Sequence, residues 1–325
     1  MLFRYMALNK KNKMIPKLDE LLSVKTTILL GAGASFDYGF PLWIKLKEDL
    51  LEALNNHKDY GIDNDSGVDW WVEALNKMSD SDTVDKIATN APAEHFDLFR
   101  NILGIVICKY EAEDSTKQTT GWIENFAAKF CELLKSKYPD TDSIQQIISN
   151  IDIITLNYDR VFNIRFNNQV VTCFKKSLTK PREFEKKFKS IFSRLPTIYH
   201  PHGCLGSSDE GGNPSYATYL KPNNSSTRIN YGDLDKVQHY IKSNRPPYLL
   251  PVDDLADADN QTYIEANKIL ENSKNVICIG ISPAGIEGSQ LDLSKVDVVY
   301  YSGKEKLRDN FIPLGKYASD IINEI

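Results

Sequence analysis

The chain has no pair of cysteines at C-x-x-C spacing. Its five cysteines, Cys108, Cys131, Cys173, Cys204 and Cys278, are scattered. That excludes a zinc ribbon, and the odd number points to reduced thiols in a cytoplasmic protein. No apolar run approaches the roughly 20 residues of a membrane-spanning helix. The opening MLFRYMALNKKNK has no apolar core of a signal peptide and reads as a frayed arm. Neither sign of charge dominates, and a net charge of -5 disfavours direct nucleic-acid binding. The phosphate-binding string G-x-x-x-x-G-K-[ST] is absent, which removes P-loop kinases and ATPases as the primary activity. There is no internal repeat and no low-complexity tract.

What the chain does have is 325 residues, 42% hydrophobic and 26% charged. That suits one large α/β domain or two modest ones. The stretch from Thr26 to Trp43 organises the rest. Thr26-Thr27-Ile28-Leu29-Leu30 has the content of a short buried strand. It runs into Gly31-Ala32-Gly33-Ala34-Ser35, where small residues let phosphates approach the backbone. Gly39-Phe40-Pro41 is a second break, and helical spacing resumes from Leu42. Strand, small-residue turn and helix is how α/β proteins hold nucleotides at the carboxyl end of a sheet.

Pro16 to Val24 reads as a short amphipathic helix. Residues 57 to about 148 read as helical, with loops at Asp63 to Gly67 and Glu113 to Thr116; their apolar stripes read as core-facing. Further strands are expected at Ile151–Leu156, Val170–Phe174, Thr197–His200, Asn275–Ile279 and, as the last, Asp297–Tyr301. Lys236–Ser243 and Tyr263–Leu270 read as helices. The basic stretch Lys175 to Lys189 reads as a solvated face. Several strands end on small or polar residues: Asn157-Tyr158-Asp159, His202-Gly203, Gly280-Ile281-Ser282 and Ser302-Gly303. In a parallel sheet these ends share one rim, where ligands bind.

A nicotinamide dehydrogenase needs G-x-G-x-x-G; here Phe36 holds the third glycine position. Hydride transfer is therefore disfavoured. Asn157 and Asp159 also suit the cap of a helix beginning near Arg160, Ser282 suits a cap after its strand, and Cys204 suits packing. His200 and His202 lack a third ligand nearby, so no metal is expected.

Gly31-Ala32-Gly33-Ala34-Ser35 with Gly39-Phe40-Pro41, then Thr155-Leu156-Asn157-Tyr158-Asp159, then His202-Gly203, then Gly280-Ile281-Ser282 occur in that order. This series resembles the sirtuin-like (silent information regulator type) NAD-binding family, whose blocks are GAGxS with G-x-P, T-x-N-x-D, H-G and a late G-x-S. Sirtuin deacylases carry two C-x-x-C pairs and follow the proline with Asp-Phe-Arg; this chain has no such pair and has Leu42-Trp43-Ile44. It is thus more similar to the bacterial branch that hydrolyses NAD in antiviral defence.

The resemblance implies an α/β fold with a Rossmann-like, mainly parallel sheet, flanking helices and a large helical insertion. One domain would span 14–325, with the helical insertion at about 55–148 and a loop-rich one at about 207–250. It implies NAD as substrate. Gly31, Ala32, Gly33, Ala34, Ser35, Phe40, Pro41, Gly280 and Ser282 would bind it; Asn157, His202 and Asp159 would be catalytic. Asn157 would orient a water or the ribose, His202 would act as base, and Asp159 would orient the site or stabilise positive charge. The expected activity is an NAD glycohydrolase yielding nicotinamide and ADP-ribose, gated by homo-oligomerisation or by a partner such as an ATPase. The alternatives are an NAD-dependent deacylase or ADP-ribosyltransferase, and a non-catalytic NAD or ADP-ribose binder that regulates a partner ATPase.

Overall fold

The computed structural model describes residues 15–63, 65–79, 87–88, 90–117, 120–176, 196, 198–208, 231–243, 247–249, 261–289, 291–304 and 307–325. Its centre is a six-stranded parallel sheet. The strands are β1 (Thr26–Leu30), β2 (Ile151–Thr155), β3 (Ile198–Tyr199), β6 (Asn275–Ile279), β7 (Val298–Tyr301) and β8 (Phe311–Pro313), in the order β3-β2-β1-β6-β7-β8. β4 (Gly203–Ser208) and β5 (Pro247–Leu249) form a separate antiparallel pair. β1 is fully buried because both faces of the sheet are covered. Ile28 and Leu30 enter one apolar core with Ile153 and Ile277; Leu29 enters the other with Ile154, Val276 and Val299.

Between β1 and β2 lie α1's successors on one side of the sheet: after α1 (Leu18–Leu21) come α2 (Ala32–Ser35), α3 (Trp43–Asn55), α4 (Val68–Lys77), α5 (Phe96–Ser115), α6 (Trp122–Lys137) and α7 (Thr141–Ser149). Then follow α8 (Val161–Lys176), α9 (Leu234–Lys242), α10 (Gln261–Asn272), α11 (Pro283–Gly288) and α12 (Ala318–Glu324). The long helical stretch shares its core with the sheet: Trp71, Phe99, Phe126 and Phe130 belong to the same buried cluster as Ile28 and Ile153. Among the described residues no helix is long and apolar enough to cross a membrane.

Four expectations are corrected. Val170–Phe174 is not a strand but the end of α8. Phe162, Phe166, Val170 and Phe174 are buried at a spacing of four, a helical stripe that the β-branched pair Val170-Val171 disguises in a short window. Glu113 to Ser115 belong to α5, where the side chain of Asp114 is held by Arg165. The first helix is only Leu18–Leu21, because the chain must turn at Leu22 to enter β1. Asp297–Tyr301 is not the last strand, since β8 follows it and pairs with β7. Lys175 and Lys176 end α8; the rest of the basic stretch lies outside the described residues. The loop-rich stretch 207–250 includes α9 and β5.

Candidate functional site

All six parallel strands bring their carboxyl ends to one rim. There the chain leaves β1 on one side for β2 and on the other neighbours β6, so the strand order reverses at β1. Such a reversal marks the crevice position where α/β sheets take ligands. Its two lips are the Gly31–Ser35 turn after β1 and the Gly280–Ser282 turn after β6.

The lips touch backbone to backbone. Gly33 N–H donates to Gly280 O at 2.9 Å and Gly31 N–H donates to Ile279 O at 3.0 Å. A methyl on Gly280 would stand 2.0 Å from Ala34 N, and one on Gly33 would stand 2.9 Å from Gly280 Cα. Gly280 also has φ +67°, the left-handed region glycine enters freely. These glycines are thus required by the fit of two turns. Ala34 N–H is also engaged, to Gly31 O at 2.8 Å. Ala32 is exposed, and no hydrogen bond from its N–H to a described residue is formed. It is the amide free to meet a phosphate oxygen.

Behind the first lip runs a buried polar string. Asn157 Nδ2 donates to Gly31 O at 3.0 Å and to Ser35 Oγ at 2.9 Å. Ser35 Oγ donates to Asp159 Oδ1 at 3.0 Å, and the same oxygen accepts Val161 N–H at 3.1 Å, the first amide of α8. Asp159 therefore caps that helix and closes the string at once. Asn157, Asp159 and Ser35 are all buried. The amide of Asn157 is fixed by its nitrogen, which leaves Oδ1 as the atom without a hydrogen bond among the described residues. Burial pushes the Asp159 carboxyl up to about 7; Val161 N–H and Ser35 pull it down, and Glu111 and Asp114 push it further up.

On the other side of Asn157 stands β3. His200 is fully buried, with Nδ1 3.3 Å from Asn157 O and Nε2 3.2 Å from Asn163 Oδ1. Burial lowers its pKa to about 4, so the ring is neutral and donates from one nitrogen only. Gly203 N–H donates to His200 O at 2.9 Å and closes a turn through Pro201 and His202. His202, 4% exposed, packs edge-on against Tyr158, ring centroids 5.8 Å apart.

The remaining expected residues are placed differently. Phe40 is buried against Tyr110, ring centroids 6.0 Å apart, and its neighbour Pro41 is half-buried. Ser282 is exposed, and its Oγ accepts Gly285 N–H at 3.0 Å as the cap of α11. Cys204 is buried. Among the described residues no group of His, Cys, Asp or Glu is arranged to hold a metal ion.

Sequence reasoning missed the residues that support the site from the helical stretch. Trp122 Nε1 donates to Ala34 O at 2.8 Å. Tyr38 OH donates to Glu124 Oε2 at 2.8 Å and accepts Ile123 N–H at 2.9 Å. The Arg165 guanidinium lies 4.6 Å from the Tyr38 ring centroid and donates to Glu124 Oε1 at 2.6 Å. Burial acts to raise the Glu124 carboxyl, but bonds from Arg165, Tyr38 and Gly121 N–H outweigh it and hold it below its usual range. Arg160, next to Asp159, is paired with Glu111 through Nε at 3.0 Å and Nη2 at 2.5 Å. Acidic residues on a buried helix face are the only signal that could have found this network.

No family model and no curated protein matches the chain. Solved structures similar to it include a Sir2 homologue in complex with NAD, with 12% identity, 94% of this chain and 90% of that one covered, and a TM-score of 0.44. An ADP-ribose complex of a mutant Sir2 homologue has 10% identity, 94% of each chain covered and a TM-score of 0.43. Sir2Tm bound to a propionylated peptide has 13% identity, 95% of each chain covered and a TM-score of 0.38.

Proposed function

We propose that the chain is an NAD glycohydrolase that releases nicotinamide and leaves ADP-ribose. One observation carries the reading. Beside the strand-order reversal, a buried asparagine is fixed through its nitrogen and keeps its amide oxygen for a ligand or water. What the first lip offers a dinucleotide is the Ala32 N–H, which is available to a phosphate.

NAD, when bound, supplies a leaving group that is already cationic, so no strong general acid is needed. What the protein must supply is an oriented nucleophile, a base and tolerance of positive charge. Asn157 Oδ1 is the acceptor that orients a water. His202, on the turn after β3, takes the proton. Asp159 holds Ser35, and through it the amide of Asn157, in place. When ionised it also favours developing positive charge.

The resemblance of the motifs extends the reading to an NAD-depleting effector of antiviral defence, gated by self-association or by a partner such as an ATPase. The test is nicotinamide release from NAD by wild type, Asn157→Ala and His202→Ala. We expect each variant to be slower by roughly a hundredfold or more. Equal rates in all three reject the site. Label transferred to protein, with little free ADP-ribose, would replace hydrolysis by transfer.

A further inference from the structure

The segment that carries Asp159 is held from behind by a helix that has no part in the motifs. Glu111, on α5, is completely buried. Its Oε1 accepts the backbone N–H of Arg160 at 3.2 Å and Arg160 Nε at 3.0 Å; its Oε2 accepts Arg160 Nη2 at 2.5 Å and Gly232 N–H at 3.2 Å. The carboxylate thus grips both the side chain of Arg160 and the peptide that joins Arg160 to Asp159. One turn further along α5, Asp114 is 2% exposed. It accepts Arg165 Nε at 3.1 Å, Arg165 Nη2 at 2.5 Å and Tyr231 OH at 2.8 Å. Residues three apart on a helix share a face, so both acids look toward the start of α8.

The charge balance there is uneven. Glu111, Asp114, Glu124 and Asp159 are all buried, against the guanidinium groups of Arg160 and Arg165. Glu111 takes Arg160, and Asp114 and Glu124 share Arg165. Among the described residues Asp159 has no cationic partner of its own, and the Ser35 hydroxyl and Val161 N–H are its hydrogen-bond donors. The groups bearing on it are Glu111 and Asp114 from α5, Tyr231 from the segment before α9, Val161 N–H at the start of α8 and Ser35 from the β1 turn.

We propose that Glu111 and Asp114 are positioning residues for Asp159: Glu111 pins the Asp159–Arg160 peptide, and Asp114, through Arg165, holds the start of α8 that follows it. The inference rests on the glycohydrolase reading for its use. A protonated Asp159 donates no negative charge to the crevice, and an ionised one does. Burial is the main cause of the raised Asp159 carboxyl, and the two carboxylates of α5 add to it as negative charges, raising the pH above which the site favours a cation. The helical stretch thereby enters the chemistry through charge and geometry.

The test reads the ionisation of Asp159 directly. Carbon-13 carboxyl resonances of the aspartate-labelled full chain are followed with pH, and the Asp159 signal is assigned by its loss in Asp159→Asn. Removing one neighbouring negative charge, in Glu111→Gln or Asp114→Asn, is expected to move the Asp159 midpoint down by about one pH unit. The acid limb of nicotinamide release should move the same way in both variants. Asp114→Asn keeps the Glu111–Arg160 pair, so it serves if Glu111→Gln does not fold. An unmoved midpoint in a folded variant overturns the proposal. Failure of both variants to fold also overturns it, since the carboxylates would then be structural alone. If the midpoint moves but wild type releases no nicotinamide, the positioning role stands and the glycohydrolase reading fails.

Discussion

Gly280→Ala tests whether the two lips of the crevice must touch. The added methyl would lie 2.0 Å from Ala34 N and 2.4 Å from Gly33 C, both backbone atoms that no rotamer change can move. The residue also sits at φ +67°, where a side chain costs about 1–2 kcal/mol. Pushing the turns apart loses the Gly33 N–H to Gly280 O bond, worth about 1 kcal/mol net. The sum is about 2–3 kcal/mol before any repacking, a large share of the roughly 5–15 kcal/mol that holds a domain folded.

Gly285→Ala is the comparison in the same turn. Its methyl would meet Ile281 Cγ2 and Ser282 Oγ, each at 3.2 Å, both side-chain atoms that can give way. Alanine also favours a helix over glycine by about 1 kcal/mol. The net effect of that change is expected within about 1 kcal/mol of zero. Urea unfolding of both variants and wild type measures the difference. Thermal shift with added NAD then reports the crevice, and Gly280→Ala should show none. If the two variants lose the same stability within about 1 kcal/mol, the turns are not locked together and the crevice has been misread.

Two further outcomes follow from the buried groups. Asp159→Asn keeps an oxygen for Ser35 and Val161 N–H but removes the titration. The Asp159 pKa stands near 7 in the fold against an ordinary value of 3.8. A raised acid pKa favours the folded state below the ordinary value, and that advantage is lost as pH rises through the folded one. From about pH 5 to about pH 8, wild type should therefore lose about 3 kcal/mol relative to Asp159→Asn, at about 1.4 kcal/mol per pKa unit; a difference independent of pH in urea titrations contradicts the assignment. Tyr38→Phe removes the hydroxyl that meets Glu124 and Ile123 N–H. It should cost about 2 kcal/mol by leaving a buried carboxylate oxygen and a buried amide short of a partner, and an unchanged midpoint of unfolding would show that the clamp on the glycine turn is slack.

The strands that carry the rim were legible because each announces itself locally. Ile28-Leu29-Leu30, Ile153-Ile154 and Val276-Ile277-Cys278-Ile279 are apolar runs of strand length, and each stops at a residue suited to a turn. Val170-Val171 shows the limit of that reading. Two β-branched residues look extended in a window of five, yet the phenylalanines at 162, 166 and 174 place them on a helical stripe. β8 was missed for a related reason: it is three residues long and ends in proline, so it offers no run to read.

Within the site, Gly31, Asn157 and Gly280 were found as motif residues, but two of their roles come only from contact. The glycines read as room for phosphates, whereas Gly33 and Gly280 meet backbone across the two lips and Gly31 meets Ile281 and the Gly280 carbonyl. Ser282 read both as a binding residue and as a cap, and its Oγ accepts Gly285 N–H as the cap of α11. Contacts between residues 49 apart, such as Glu111 with Arg160, leave no periodic trace at either end.

The site is therefore built from two kinds of information. The rim is local: a strand, a break and a short polar sequence, repeated along one sheet edge. The support is long-range, and it comes from α5 and α6: Trp122 and Glu124 meet Ala34 and Tyr38 after the first lip, and Glu111 meets Arg160. These contacts reach both the Ala34 carbonyl on the first lip and the Arg160 amide behind Asp159. A shift of α5 against α6 would pull on the Asn157–Ser35–Asp159 string at two points, beside Ser35 and beside Asp159. The buried ion pairs make such a shift costly, because breaking one leaves a charge without its partner away from water. A string held at Ser35 and Asp159 in this way, with Asn157 Nδ2 bonded to Gly31 O and Ser35 Oγ, keeps Asn157 Oδ1 in one orientation, which is what an oriented nucleophile requires.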